Sequence, residues 1–543
     1  MAITGAHYSR TALLTKLAAS LLLPLLISCG GGGSGSGGGP VAAATGAANS
    51  QQQSGAGQPS ASLQARSEFS DDDIRHFLAR THFSIESGRV DQVKQQGLSV
   101  YIDQMMEFPV LGSQPFEADA RQFLINDDDP AGFEGKFPSS SDVQDWNIYL
   151  LINNPNAFQE VMGMFWQDHF GVDFQTFRKE EYHLMIDYVN MLRDRGVGNF
   201  RNLLLDVSRH GAMLLFLDGA DNSKFAPNEN YAREFWELYT LGVDNGYTEI
   251  DIIEASRAFT GWRRKFNANT GLTKVEFDPE SKAIGSKQPF GSNVSHDLNS
   301  DDYGVMVDLT MSHSDDTSAN LVARYISTRL LKYFYNDNPS PEMTVAFSNA
   351  LRENNLNIAP SLKTLFLSEA FYAEEAREGL VRDFYEQVVG LVRTTGLTES
   401  ESQYRRYLTD MDSMPGRPPS VEGWPEGDDK ISSHVSGVEV PNFVNELITN
   451  RNTQEEAGYD IGAALQPAGA RDADAVVDHV AMLLGVTLND IERSSLIDFM
   501  NIQFVSDGDE TPVNYTPQNT DHQSRKLRNL LWILCQHPSF HLK

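Results

Sequence analysis

The stretch "APNENYAREFWELYTLGVDNGYTEIDIIEASRAFTGW", residues 226–262, decides how the chain reads. It holds both the local grammar of two helices and the densest run of reactive side chains. Asn228 stands where an N-cap is expected, with Glu229 in the first turn, and Gly242 where a left-handed residue closes a helix. Asp244-Asn245-Gly246 makes the turn, and Thr248 precedes Asp251 by three residues, a capping-box variant that starts a second helix. The stretch therefore predicts an αα-hairpin. On its first helix Glu229, Arg233 and Glu237 lie four apart, as do Asn230 and Glu234, while Phe235, Leu238 and Leu241 form an apolar stripe. An exposed Glu–Arg–Glu ladder contributes about 0.2–0.5 kcal/mol per pair. Buried, the same face needs every charge paired, and its carboxylates could shift their pKa values or bind a cation. Spacing alone favours the ladder.

Outward from this hairpin, from Ser70 onward, apolar residues recur three and four apart. "SEFSDDDIRHFLARTHF" opens with Ser70 before three aspartates, a capped start that suits the positive end of the helix dipole. "NAFQEVMGMFWQDHF", "NFRNLLLDVSRHGAMLLFL" and "TSANLVARYISTRLLKYFY" continue the pattern. The fold expected is mainly α, a large multi-helix domain over residues 67–543 with long irregular loops at 263–312 and 412–440, where Gly, Pro, Asp and Ser concentrate.

The beginning of the chain reads differently. Residues 1–28 carry Arg10 and Lys16, no acid, and an apolar run ending Leu26-Ile27-Ser28 before Cys29. That layout is a secretory signal, and the last four residues resemble a bacterial lipobox, in which Cys29 is acylated and becomes the mature N-terminus. Gly30 leaves no inner-membrane retention aspartate, so the expected address is the outer membrane. Residues 29–66, Gly- and Ser-rich with few large apolar side chains, read as a disordered tether. Only Cys535 lies beyond it, so no intramolecular disulfide holds the folded part. A formal net charge of −31 repels phosphate backbones and excludes nucleic acid as an expected partner.

With its motifs in view, the chain resembles the exported bacterial family catalogued as domain of unknown function 1800. The resemblance rests on Asn228 to Glu234, Glu237-Leu238, Leu241-Gly242-Val243 and Phe259-Thr260-Gly261-Trp262. It extends through "HFLARTHF" (76–83), "MFWQDHF" (164–170), "GNFRNLLLDV" (198–207), "FLDGADNSKFAPNEN" (216–230), "SEAFY" (368–372) and "VEGWPEGDD" (421–429). It implies an exported, largely helical protein, one family unit over roughly 70–540, and an exported protein partner. Two family histidines are replaced, by Phe277 and by Arg195, which puts in doubt any chemistry they served.

The candidate site follows from these segments. His169, Glu234, Glu237 and Arg233 are the catalytic candidates: a glutamate as general base, His169 as its acid partner or a metal ligand, Arg233 as an anion clamp. Asn228, Glu229, Asn230, Asp218, Asn222 and Trp262 are the ligand-binding candidates. The Asp- and Asn-rich loop offers oxygen ligands of the kind calcium takes, without EF-hand spacing, and a divalent metal is the cofactor considered. Glu180-x-x-His183 lacks the second pair that a di-metal site needs. Gly-x-Ser-x-Gly, His-Glu-x-x-His and phosphate-cradling loops are absent, which removes the common hydrolase and nucleotide classes. Two readings stay open. One is a tethered protein whose polar cleft binds and hydrolyses an extracytoplasmic ligand; the other is a non-catalytic envelope adaptor whose polar cluster is structural.

Overall fold

The computed structural model describes residues 63–109, 111–124, 138–294, 297, 299–315, 320–377, 379–396, 401–427, 430, 439–449, 461–467, 469–504, 510–516, 518–519 and 523–543. The signal segment, Cys29, most of the tether and the acidic loop at 126–132 lie outside them. The described end of the tether is not free: Ala65 bridges Ser368, Arg66 N–H donates to the Leu367 carbonyl (2.7 Å) and Glu369 N–H to that of Gln64 (2.8 Å). Paired backbone thus begins a few residues before the expected boundary at 67.

The protein is mainly α, and among the described residues its strands form only two two-stranded sheets. The helices that frame the sites, in chain order, are α1 (Asp71–Thr81), α2 (Ala157–His169), α3 (Tyr182–Arg195), α4 (Asn230–Glu237), α5 (Glu249–Ala258), α6 (Tyr303–Met311), α7 (Leu321–Phe334), α8 (Phe384–Thr395), α9 (Ala473–Leu484) and α10 (Asp490–Met500). One hydrophobic core runs through them from Ile74 to Phe540. Its centre is aromatic: Phe165, Trp166, Phe170 and Phe200 stack or meet edge to face around α2.

Local signals act as their chemistry requires. Ser70 caps α1 and forms a capping box with Asp73. Thr248 and Asp251 do the same for α5, with Gly242 and Gly246 left-handed at φ +96° and +86°. The start of α4 needs correction: helical geometry begins at Asn230, with Glu229 at the cap position and no side chain capping it. Asn228 acts one step earlier, its Oδ1 accepting from the Asn230 N–H (2.9 Å) in an Asx turn. Phe235 and Leu241 are buried, as the stripe requires, and Leu238 is half-buried.

The 263–312 region is less irregular than its composition suggests. Strands β1 (Trp262–Asn267) and β2 (Leu272–Phe277) pair antiparallel, and Tyr303–Met311 forms α6. The strand period is blurred because Arg263, Arg264 and Lys265 follow one another and the ribbon is mostly outside the core.

α7 links two parts of the molecule. On one stripe, residues four apart, it carries Tyr325, Arg329 and Tyr333. Tyr325 Oη donates to the Leu238 carbonyl at the end of the hairpin helix (2.7 Å), and Arg329 reaches Asp168 in the last turn of α2.

Candidate functional site

The residues singled out in the sequence separate into three environments. His169 is buried in an aromatic cage of Phe165, Trp166, Phe170, Phe200, Tyr239 and Tyr325. Its Nε2 lies 3.1 Å from the Tyr239 carbonyl, an acceptor only, so Nε2 carries the proton and Nδ1 is left without a partner. Burial holds its pKa well below the ordinary histidine value, helped by Arg329, so the ring is neutral at pH 7. Among the described residues no hydrogen bond or ion pair joins His169 to Arg233, Glu234 or Glu237.

The second environment is the surface of α4. Arg233 binds Glu249 on the facing helix (2.8 and 3.0 Å), Glu237 (3.3 Å) and Glu229 (3.7 Å), with all four side chains part-exposed or exposed. This is the solvated ladder, with the second helix of the hairpin added to it. Glu234 differs. It is half-buried, forms no side-chain hydrogen bond among the described residues, and has its pKa raised by burial and by the Glu237 and Glu422 carboxylates.

Turn and loop chemistry makes up the third. Asn222 is buried, donates to the Ser256 carbonyl (2.8 Å) and accepts from the Asn228 N–H (3.0 Å). Asn230 reaches the Leu217 carbonyl (3.5 Å), and Asp218 is an exposed residue at φ +56° in the turn before it. The Asn222 and Asn228 amide oxygens, which a cation would need, are thus each engaged by a backbone N–H group. Among the described residues no three His, Cys, Asp or Glu side chains converge as a metal site. Trp262 lies against Phe277 and Tyr303, its indole N–H buried without a partner. Phe277 covers Gly261: a Cβ there would meet the Phe277 ring at 2.6 Å, and φ is +117°.

A denser cluster of charge sits elsewhere, at the end of α2. Asp168 Oδ2 pairs with Arg329 Nη2 (3.1 Å), and its Oδ1 accepts the Trp424 N–H (2.8 Å). The chain can approach this closely only because residue 423 is glycine: at φ +97° a Cβ would lie 2.3 Å from Asp168 Oδ1. Glu426 of the same loop binds Arg329 and Lys332 (2.6 Å to Lys332). Behind them Lys430 pairs with Asp383 (2.8 Å), while Glu386 binds Lys543 (2.5 Å) and accepts the Asp383 N–H (2.9 Å). The Tyr333 and Tyr385 hydroxyls meet at 3.0 Å.

These groups, Glu386 apart, line a cavity of about 40 Å³. Burial pushes the Asp168 carboxyl up to about 6, against the pull of Arg329 and the Trp424 N–H. For Lys430 and Glu386 burial also opposes charge, yet their partners outweigh it, raising the lysine and lowering the glutamate. A cavity of this size admits ordered water and no substrate, and both Asp168 oxygens already have partners. The layer therefore fixes how α2, α7, α8 and the 421–427 loop pack.

Sequence reasoning passed over Asp168, Arg329, Lys332, Glu426, Lys430 and Lys543. The available signal was the glycine of "VEGWPEG" and the aspartate beside His169. Arg329 and Lys543 carry no local signal, since an Arg on an amphipathic helix and a chain-end Lys read as solvated.

These segments are also where the chain matches a known family model. The model described as Protein of unknown function (DUF1800) matches residues 76–542. The chain belongs to that family. No curated protein and no solved structure matches it. In this DUF1800 member the match takes in all three environments and the buried ionic layer except Lys543.

Proposed function

We propose that this chain is an exported, lipid-anchored adaptor of the cell envelope, held at the outer membrane through Cys29, whose signature hairpin docks an exported protein partner and whose buried polar groups are structural. The observation that carries it is the apolar surface of the hairpin. Ile250 and Ile253 stand one turn apart on α5, 71% and 44% exposed, and Phe225 and Val243 on the flanking turns are 85% and 65% exposed. Two large β-branched side chains held in water one turn apart on the same helix, with further exposed apolar residues in the flanking turns, are a docking signature. A photocrosslinking amino acid at Ile253 of the tethered protein yields one discrete adduct with an exported protein. The adduct is absent from the exposed control Val345 and is lost with Ile250→Asp. Loss of every Ile253 adduct would overturn the reading.

One observation favours the hydrolytic version. Glu234, with its raised pKa and no side-chain hydrogen bond among the described residues, has the electrostatics of a general base. Its acid partner is not His169, which is neutral and caged. A hydrolytic activity abolished by Glu234→Gln, with circular dichroism unchanged, would establish that version; the adaptor reading requires Glu234→Gln to leave the Ile253 adduct intact.

A further inference from the structure

A second cavity, about 860 Å³, lies between α1 and the helices α9 and α10, and Lys543 lines both it and the small ionic cavity. Its volume is that of a small-molecule site. Ile85, Met482, Val486, Leu488 and Leu542 give it an apolar wall.

Its cations are not alike. Arg75 is bound by Asp72 (2.6 Å), Arg493 by both oxygens of Asp478 (2.6 and 2.7 Å), and Arg377 by Asp73. Arg382 is 6% exposed and makes no side-chain hydrogen bond or ion pair among the described residues. Glu386 acts on it electrostatically, but that carboxylate is already held by Lys543 and by the Asp383 N–H. Arg80 on α1, which faces Asp337 and Glu386 and repels Arg382, donates Nη2 to the Ala376 carbonyl and has Nε and Nη1 buried without partners. A buried charge lacking a counter-charge is costly, and here the positive excess occurs inside a chain whose net charge is −31. Gly485, which follows α9, keeps the guanidinium clear: a Cβ there would stand 3.0 Å from Arg382 Nη2.

We propose that this cavity binds an amphipathic carboxylate, its head paired with the Arg382 guanidinium and its apolar body along Met482, Val486 and Leu488. A guanidinium fork matches a carboxylate in two parallel hydrogen bonds. A phosphate dianion asks for a second free cation in the cavity, and Arg75, Arg377 and Arg493 are already paired. The site rests on Arg382 and is independent of the hairpin adaptor reading.

Titration calorimetry of the full chain with decanoate, decanol and inorganic phosphate tests it. Decanoate binds saturably, decanol at least tenfold more weakly, and phosphate does not displace decanoate. Arg382→Gln weakens decanoate at least tenfold. Met482→Trp, which fills the apolar end and leaves Arg382 in place, also removes binding while circular dichroism is unchanged. No decanoate binding, equal binding of decanol, an unaltered Arg382→Gln affinity, or displacement by phosphate would each overturn the proposal.

Discussion

The hairpin surface and the ionic layer at the end of α2 are built from the same residue types and do opposite things. On α4 the carboxylates around Arg233 stay in water, where solvent screens them and each pair contributes little. In the layer, Asp168, Arg329, Glu426 and Lys332 are part-buried together, so each charge depends on its partner and on the loop that brings the partner in. The richest polar motif in the sequence is thus energetically the weaker of the two regions.

The largest expected effect tests that asymmetry directly. Arg329→Met strips Asp168 and Glu426 of their shared cation and should cost about 3 kcal/mol, read from urea unfolding. A loss as small as that of a ladder variant would end the distinction between the regions.

Next in size is a pH effect. The folded Asp168 carboxyl titrates at about 6, above its ordinary 3.8, so the folded state holds that proton more tightly than the unfolded chain. Its contribution to stability is therefore full below pH 3.8 and is lost as pH rises to about 6, with a slope of at most roughly 1.4 kcal/mol per pH unit. Asp168→Asn cannot titrate. The stability difference between wild type and this variant should change across pH 4–6 and level off above; a flat difference would place Asp168 in water.

On the hairpin the expected effects are smaller. Thr248→Ala removes the α5 cap and should cost about 1 kcal/mol, visible as a lowered melting temperature. Arg233→Ala should leave the melting temperature within about 1 °C of wild type, and 0.5 M salt should erase even that. A larger shift would mean that the ladder is coupled to the layer through Tyr325 and α7.

What was legible follows from the range of the forces involved. Ser70, Thr248 and Gly242 could be read because a cap or a left-handed turn is decided within three or four residues. Asn228 was read as an N-cap because an Asx turn and a cap use the same oxygen in the same way, and only the backbone angles separate them. His169 drew attention as a titratable group, but only half of its aromatic cage lies on or next to its own helix; Phe200, Tyr239 and Tyr325, which close it, come from distant segments. The β1–β2 ribbon was hidden because an exposed strand need not alternate.

By itself, then, the sequence determined a mainly helical chain, its hairpin and most of its caps, set by periodicity and short-range hydrogen bonding, an acidic balance set by composition, and a family resemblance carried by its motifs. Tertiary structure alone decided which charges are buried and which are unpaired. Asp168 meets Arg329 across 161 residues and Glu386 meets Lys543 across 157, while the buried Arg382 has no side-chain hydrogen bond or ion pair among the described residues. The physical reason is that the cost of a charge depends on the dielectric and the counter-ions around it, and these are assembled from segments distant in the chain.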